Sequence, residues 1–138
     1  MLFRSCAGGV VFYENTVLLL QNEKKEWVLP KGIIRTGMTA PETAVARVKT
    51  EAGVTAEVLS IAGHTTYEFY SATRQRPVCN DIAWYLMKAA SGESAPNRLE
   101  GFVDGGYYTI PQAMERITYS QDRALVRSAW ARYTGLKK

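Results

Sequence analysis

Residues with obvious chemistry are scarce in this sequence. Histidine occurs once, at His64, and cysteine twice, at Cys6 and Cys79, in a chain of 138 residues. Neither cysteine belongs to a C-x-x-C pair or to a metal-ligand spacing. That excludes a zinc-type centre and a disulfide scaffold, and makes a reducing cytoplasm the expected compartment. Long apolar runs are missing too: stretches such as Val17–Leu20 have strand length, far short of the roughly 20 residues a membrane helix needs. No membrane partner is therefore expected, and segment 1–9 lacks the apolar core of a secretory signal. No Walker loop, G-x-S-x-G elbow or H-E-x-x-H pair occurs, so P-loop, serine-hydrolase and zincin chemistry have no support.

The composition, 46% hydrophobic and 22% charged, is that of a globular domain able to bury a real core. No repeat and no compositional shift marks a linker, so residues 1–138 read as one domain. The formal net charge of +4 favours an anionic partner without naming one.

Strand signals dominate the first half. Cys6–Phe12 is small and β-branched, Glu14-Asn15 marks a turn, and Thr16–Gln21 follows as a buried strand. A polar connection leads to the short strand Trp27-Val28-Leu29, which Pro30 cuts off. Pro41–Ala52 is the clearest helix, with Thr39 and Glu42 forming a capping box, Ala44, Val45, Val48 and Ala52 in one stripe, and Gly53 as the stop. Ala56–Ile61, Tyr67–Tyr70 and Ile82–Met87 read as strands, the last two joined by a polar loop from Ser71 to Asn80. After a loose stretch from Ser91 to Gly101 come a strand at Gly106–Ile110, a short helix at Pro111–Ile117 and a last helix from Ser120 to Tyr133. This succession indicates an α/β fold, or an α+β one.

One segment carries more than fold. Leu29 to Val54 reads LPKGIIRTGMTAPETAVARVKTEAGV. It resembles the Nudix family, whose box is G-x5-E-x7-R-E-U-x-E-E-x-G-U with U aliphatic. Gly32 and Gly53 take the two glycine positions with no gap; Val48, Glu51 and Val54 also match. Met38, Ala46, Arg47 and Thr50 stand where the box has glutamate, arginine, glutamate and glutamate. The order of elements is also similar to a Nudix domain over residues 3–133. The resemblance implies a Nudix-like α/β/α sandwich with a mixed sheet, and cleavage of a nucleoside diphosphate linked to another moiety with Mg²⁺ or Mn²⁺. It also makes a homodimer an expectation.

The departures weaken that chemistry. Helix positions i, i+3 and i+4 share one face, and here they are Arg47, Thr50 and Glu51. Hard cations need oxygen ligands, and Arg47 puts a positive charge where the metal would sit. Two unit charges about 4 Å apart interact by about 4 kcal/mol at an effective dielectric of about 20, and a dication doubles that. Glu51 is the carboxylate left for catalysis and metal contact, with Thr50 and Glu100 as further metal candidates. Asp104 is the alternative to Glu100, since both lie in the late segment from which Nudix enzymes often draw a carboxylate. Arg47 has two open fates: a salt bridge with Glu51 one turn on, or a planar fork for phosphate, helped by Lys31 and Arg35.

Outside the box, Tyr67 is an aromatic candidate for stacking on a base, and Arg74 and Arg76 for reaching phosphates. His64, without a partner motif, and the two cysteines read as structural. The leading expectation is recognition of a nucleotide or other diphosphate-containing small molecule, with hydrolysis weak or lost and no metal required. An active pyrophosphohydrolase with relocated ligands is second. A protein- or RNA-binding module using the basic surface, including the Arg123–Lys138 end, is third, because no aromatic-basic RNA motif is present.

Overall fold

A computed structural model describes residues 1–136; the last two residues of the basic Arg123–Lys138 end lie outside the described residues. Seven strands form one sheet: β1 (Leu2–Tyr13), β2 (Thr16–Asn22), β3 (Trp27–Val28), β4 (Lys31–Ile33), β5 (Ala56–Ser71), β6 (Arg76–Ala89) and β7 (Phe102–Thr109). The main path runs β3-β2-β1-β6-β5, with β4 added to β1 and β7 to β2. The sheet is mixed: β1 and β6 run parallel from Leu2↔Val78 to Phe12↔Lys88, and the other pairs are antiparallel. Helices α1 (Ala40–Ala52), α2 (Ile110–Arg116) and α3 (Ser120–Leu136) cover it.

Burial on both faces explains why β1 and β2 read as continuous apolar runs rather than alternating ones. Successive side chains of a strand point to opposite faces. Cys6, Val10 and Phe12 of β1, with Val17 and Leu19 of β2, join Leu125, Val126, Ala129 and Tyr133 of α3 in one core. Ala7, Val11, Leu18 and Leu20 pack on the opposite side with Ala44, Val48 and Ala52 of α1. The α/β/α sandwich is thus written in the two interleaved sets.

Helix α1 forms as its sequence signals direct. The Thr39 side chain accepts from the Glu42 amide at 3.2 Å, and the Glu42 carboxylate accepts from the Thr39 amide at 3.0 Å. Gly53 ends the helix at φ 68°, in the left-handed region that glycine enters without a Cβ penalty.

The structure alters several expected boundaries. The two strands read at Ala56–Ile61 and Tyr67–Tyr70 are one 16-residue strand, β5, with bulges between Val58 and Ser60 and between Ile61 and Gly63. The polar stretch His64-Thr65-Thr66 is drawn into the strand by its pairing with Ala83, Ile82 and Asp81 of β6. The expected loop from Ser71 to Asn80 shrinks to a turn at 72–75, because Arg76–Asn80 pair back along β5. β7 starts at Phe102 rather than Gly106, drawn into strand conformation by its pairing with β2. The stretch from Ser91 to Gly101 contains a 3₁₀ turn at Arg98–Glu100. Both cysteines are buried and free, as expected. Among the described residues no helix is long and apolar enough to cross a membrane.

Phe12 is fully buried and stacks on Tyr133 at 4.8 Å between ring centroids, with Trp130 at 5.5 Å. Phe12→Ala should therefore lower unfolding free energy by about 3–5 kcal/mol, measured by denaturant titration. A loss below about 1 kcal/mol would show that α3 does not lock the sheet through this contact.

Candidate functional site: a guanidinium between two carboxylates

The site is built where the N-terminal end of β4 meets α1. Register pairing of Ala7 with Gly32 and Gly8 with Lys31 lays β4 along β1. This places the Lys31 amide 3.2 Å from Oε1 of Glu51, to which it donates. Helical spacing brings Arg47 onto the same carboxylate: its Nη2 donates to Oε2 of Glu51 at 2.7 Å. Both oxygens of Glu51 are thereby engaged.

A second carboxylate completes the arrangement. Nη2 of Arg47 also donates to Oε2 of Glu100 at 3.1 Å. Glu100 closes the 3₁₀ turn, which is tied to the end of α1. Asn97 donates its amide to the Glu51 carbonyl at 2.9 Å and its side-chain amide to the Thr50 carbonyl at 2.9 Å, and the Ala95 amide donates to the Ala52 carbonyl at 2.7 Å. The Asn97 side chain also accepts from the Leu99 amide at 3.0 Å, fixing the turn internally.

Gly32 leaves room for the Arg47 side chain. A Cβ there would stand 2.6 Å from both Cδ and Nε of Arg47, so any larger residue would push the guanidinium off its partners. Nε of Arg47 is buried and has no hydrogen-bond partner among the described residues.

The electrostatics follow from burial. Glu51 is 5% exposed, and this desolvation holds its carboxyl above the ordinary carboxylate range against the opposing pull of Arg47 and Lys31. Burial alone would lower the Arg47 pKa, but hydrogen bonds and charge from Glu51 and Glu100 keep it above its ordinary value. Arg47 is therefore a fixed cation.

Two clefts flank this bridge. The inner one, of about 220 Å³, lies on the Lys31 and Glu51 side and reaches Tyr67, Trp84, Phe102, Tyr119 and Asp122. Tyr67 stacks on Phe69 and meets Tyr119 edge-on, each at 5.6 Å. The Tyr119 hydroxyl donates to Glu26 in a short hydrogen bond, which with Asn22 lowers the Glu26 pKa. Burial pushes the Asp122 carboxyl up, with Lys31 opposing. The outer cleft, of about 480 Å³, is lined by Arg35, Met38, Ala46, Arg47 and Thr50. Glu100 borders both.

Of the residues singled out from the sequence, Lys31, Arg35, Arg47, Thr50, Glu51 and Glu100 converge here, and Tyr67 lines the inner cleft. Arg74 and Arg76 do not: they sit at and beside the exposed tip of the β5–β6 hairpin, outside the lining of both clefts. Asp104 is on β7, where its carboxylate accepts from the Gly105 amide, so Glu100 is the late carboxylate that reaches the box. Glu26, Tyr119 and Asp122 escaped the sequence reading, since nothing local marks residues that a fold gathers from the β2–β3 connection, the α2–α3 connection and the first turn of α3. Asn97 did carry a signal: an Asn two residues before Leu99 and four before a glycine is a turn-forming pattern.

A divalent cation does not fit this arrangement. Glu51 and Glu100 share a guanidinium where the cation would lie, and among the described residues no group of three or more His, Cys, Asp or Glu side chains is placed to hold a metal.

Asp122 gives a pH signature. Its folded-state pKa lies above the open-chain value, so its contribution to stability is complete at acid pH and is lost as pH rises through the folded pKa. The melting-temperature difference between Asp122→Asn and the parent should therefore grow in favour of the variant from about pH 4 to about pH 7. A flat difference would show that Asp122 titrates as in an open chain.

Comparison with known proteins agrees with the fold. The family model described as NUDIX domain matches residues 2–128. A protein of Mycobacterium tuberculosis named as the putative mutator protein MutT4 is 34% identical over 103 residues, covering 75% of this chain and 40% of that protein. An 8-oxo-(d)GTP phosphatase of Mycolicibacterium smegmatis is 29% identical over 125 residues, covering 87% of this chain and 36% of that protein. The chain thus spans well under half the length of these relatives. Among solved structures, a C. elegans Ap4A hydrolase complex superposes with a TM-score of 0.71 at 21% identity, over 96% of this chain and 98% of that one. A NUDIX hydrolase of Nitrosomonas europaea gives 0.74 at 18% identity, over 98% and 74%.

Proposed function

This chain belongs to the NUDIX domain family, and from that premise we propose that it is a receptor for a nucleotide or another diphosphate-bearing small molecule, with pyrophosphate hydrolysis weak or lost. The observation that carries this reading is the Arg47 guanidinium bridging Glu51 and Glu100 at 2.7 and 3.1 Å. Nudix hydrolases generally use divalent cations such as Mg²⁺ or Mn²⁺ to neutralise phosphate charge. Here a permanent organic cation stands beside the surviving box carboxylate. A guanidinium presents its N–H groups in a planar fork that matches phosphate oxygens. It can bind a diphosphate but cannot activate water as a bound metal does.

In this proposal Arg47, Lys31 and Arg35 hold the phosphates. The linked base or other moiety enters the inner cleft, with Tyr67 as a stacking surface and Asp122 as a polar contact deeper in. The names of two relatives, an 8-oxo-(d)GTP phosphatase and an Ap4A hydrolase, make purine nucleotides and dinucleoside polyphosphates the first compounds to try.

A second reading has one observation in its favour. Glu51 and Glu100 both reach the same Arg47 nitrogen, so the two carboxylates converge on one positive charge. An active hydrolase would need Arg47 to swing out and a metal to take over these partners, with Thr50 as a further ligand through water.

Product release from nucleoside diphosphate derivatives, dinucleoside polyphosphates and capped RNA in Mg²⁺ and Mn²⁺, alongside calorimetric binding in metal-free buffer, separates the two. The receptor reading expects no release and ADP binding that Arg47→Ala weakens about tenfold or more. Arg47→Lys, which keeps the charge without the fork, should fall between. Metal-dependent release abolished by Glu51→Gln would instead establish the hydrolase. The combined change Met38→Glu, Arg47→Glu and Thr50→Glu should raise Mn²⁺ affinity, because it replaces the internal cation with carboxylates. Unchanged affinity in a folded triple variant would show that the missing carboxylates are not the limiting defect.

A further inference from the structure

We propose that Glu100 is an internal competitor for the phosphate: its carboxylate occupies the gripping edge of Arg47 in the free protein and is displaced when a diphosphate binds. The inference rests on the receptor reading above and adds to it the residue that sets ligand affinity.

The two carboxylates on Arg47 are held differently. The Glu51 side chain is 7% exposed and is also fixed by the Lys31 amide. The Glu100 side chain is 37% exposed, and among the described residues its carboxylate makes its one hydrogen bond to Arg47, the longer of the two. An exposed ion pair is worth little, because water and salt compensate both charges. Glu100 is thus the partner that can be exchanged, while Glu51 keeps the guanidinium in place.

Exchange requires only a side-chain rotation. The backbone of the 3₁₀ turn is tied to α1 through Asn97 and Ala95, so the Glu100 main chain stays put as its carboxylate swings towards solvent. The residue borders both the inner aromatic cleft and the outer one that contains Arg35.

Charge gives the exchange its consequence. Glu26, Glu51, Glu100 and Asp122 line the inner cleft against Lys31. A polyanion entering while Glu100 stays would meet like charge beside the Arg47 guanidinium. A diphosphate carries more charge and more acceptor oxygens than a carboxylate, and is the stronger partner for the same fork. Apparent affinity is then reduced by the fraction of protein in which Glu100 occupies Arg47.

The test is calorimetric titration of inorganic pyrophosphate into the full chain in metal-free buffer. Glu100→Gln, nearly isosteric and without charge, should bind about threefold to fivefold more tightly than the parent. Glu100→Ala should match it, which guards against a residual amide contact with Arg47. Glu93→Gln removes a carboxylate from the exposed segment that accepts from Tyr107, away from both clefts, and should leave affinity unchanged. Equal or weaker binding by both Glu100 variants, with the parent binding, overturns the competitor role and leaves the receptor reading intact. A gain of the same size in Glu93→Gln reduces the effect to net charge and also overturns it. Absence of pyrophosphate and ADP binding in the parent and in every folded variant overturns the receptor reading and this inference with it.

Discussion

A carboxylate buried to the extent of Glu51 cannot remain ionised alone. Its desolvation cost must be met by a cation or by hydrogen bonds, or the group takes up a proton. Arg47 and the Lys31 amide offset part of that cost, and much of the local structure serves to let them. Gly32 leaves the space through which the arginine passes. The pairing of β4 with β1 aims the Lys31 amide. The helix cap at Thr39 and the stop at Gly53 hold Arg47 and Glu51 one turn apart on a rigid element.

The same constraint shapes what the site can do. A metal-dependent hydrolase keeps its carboxylates free for a cation it borrows from solution, whereas this chain carries a cation in its own sequence. In the proposed receptor the charge at the spot keeps its sign and differs in kind: a hydrogen-bond donor stands where a hydrolase would hold a Lewis acid that lowers the pKa of water. That reading favours phosphate recognition over water activation.

The parts of the structure that could be read in advance are those set by neighbours in sequence. The capping box of α1, its apolar stripe and the Arg47–Glu51 pair are all local, and all are present. Thr16–Gln21 read as a buried strand, and the structure covers both faces of β2. The long β5 was not legible, because His64-Thr65-Thr66 has a loop-like composition and only its pairing with β6 makes it a strand. β4 was hidden as well: three residues after a proline carry no period, and they become a strand by pairing with Cys6–Gly8.

By itself, then, the sequence determined the family, the helix that bears the box and the placing of Arg47 one turn from Glu51, because each follows from spacing along one chain segment. Tertiary structure decided which of two late carboxylates joins the site. Glu100 is 53 residues from Arg47 and reaches it only because Asn97 ties its turn to the end of α1. It likewise drew Tyr67, Tyr119 and Asp122 into one cleft and left Arg74 and Arg76 on a distant hairpin tip. Contacts between elements depend on how the sheet stacks them, and no periodicity within one element records that.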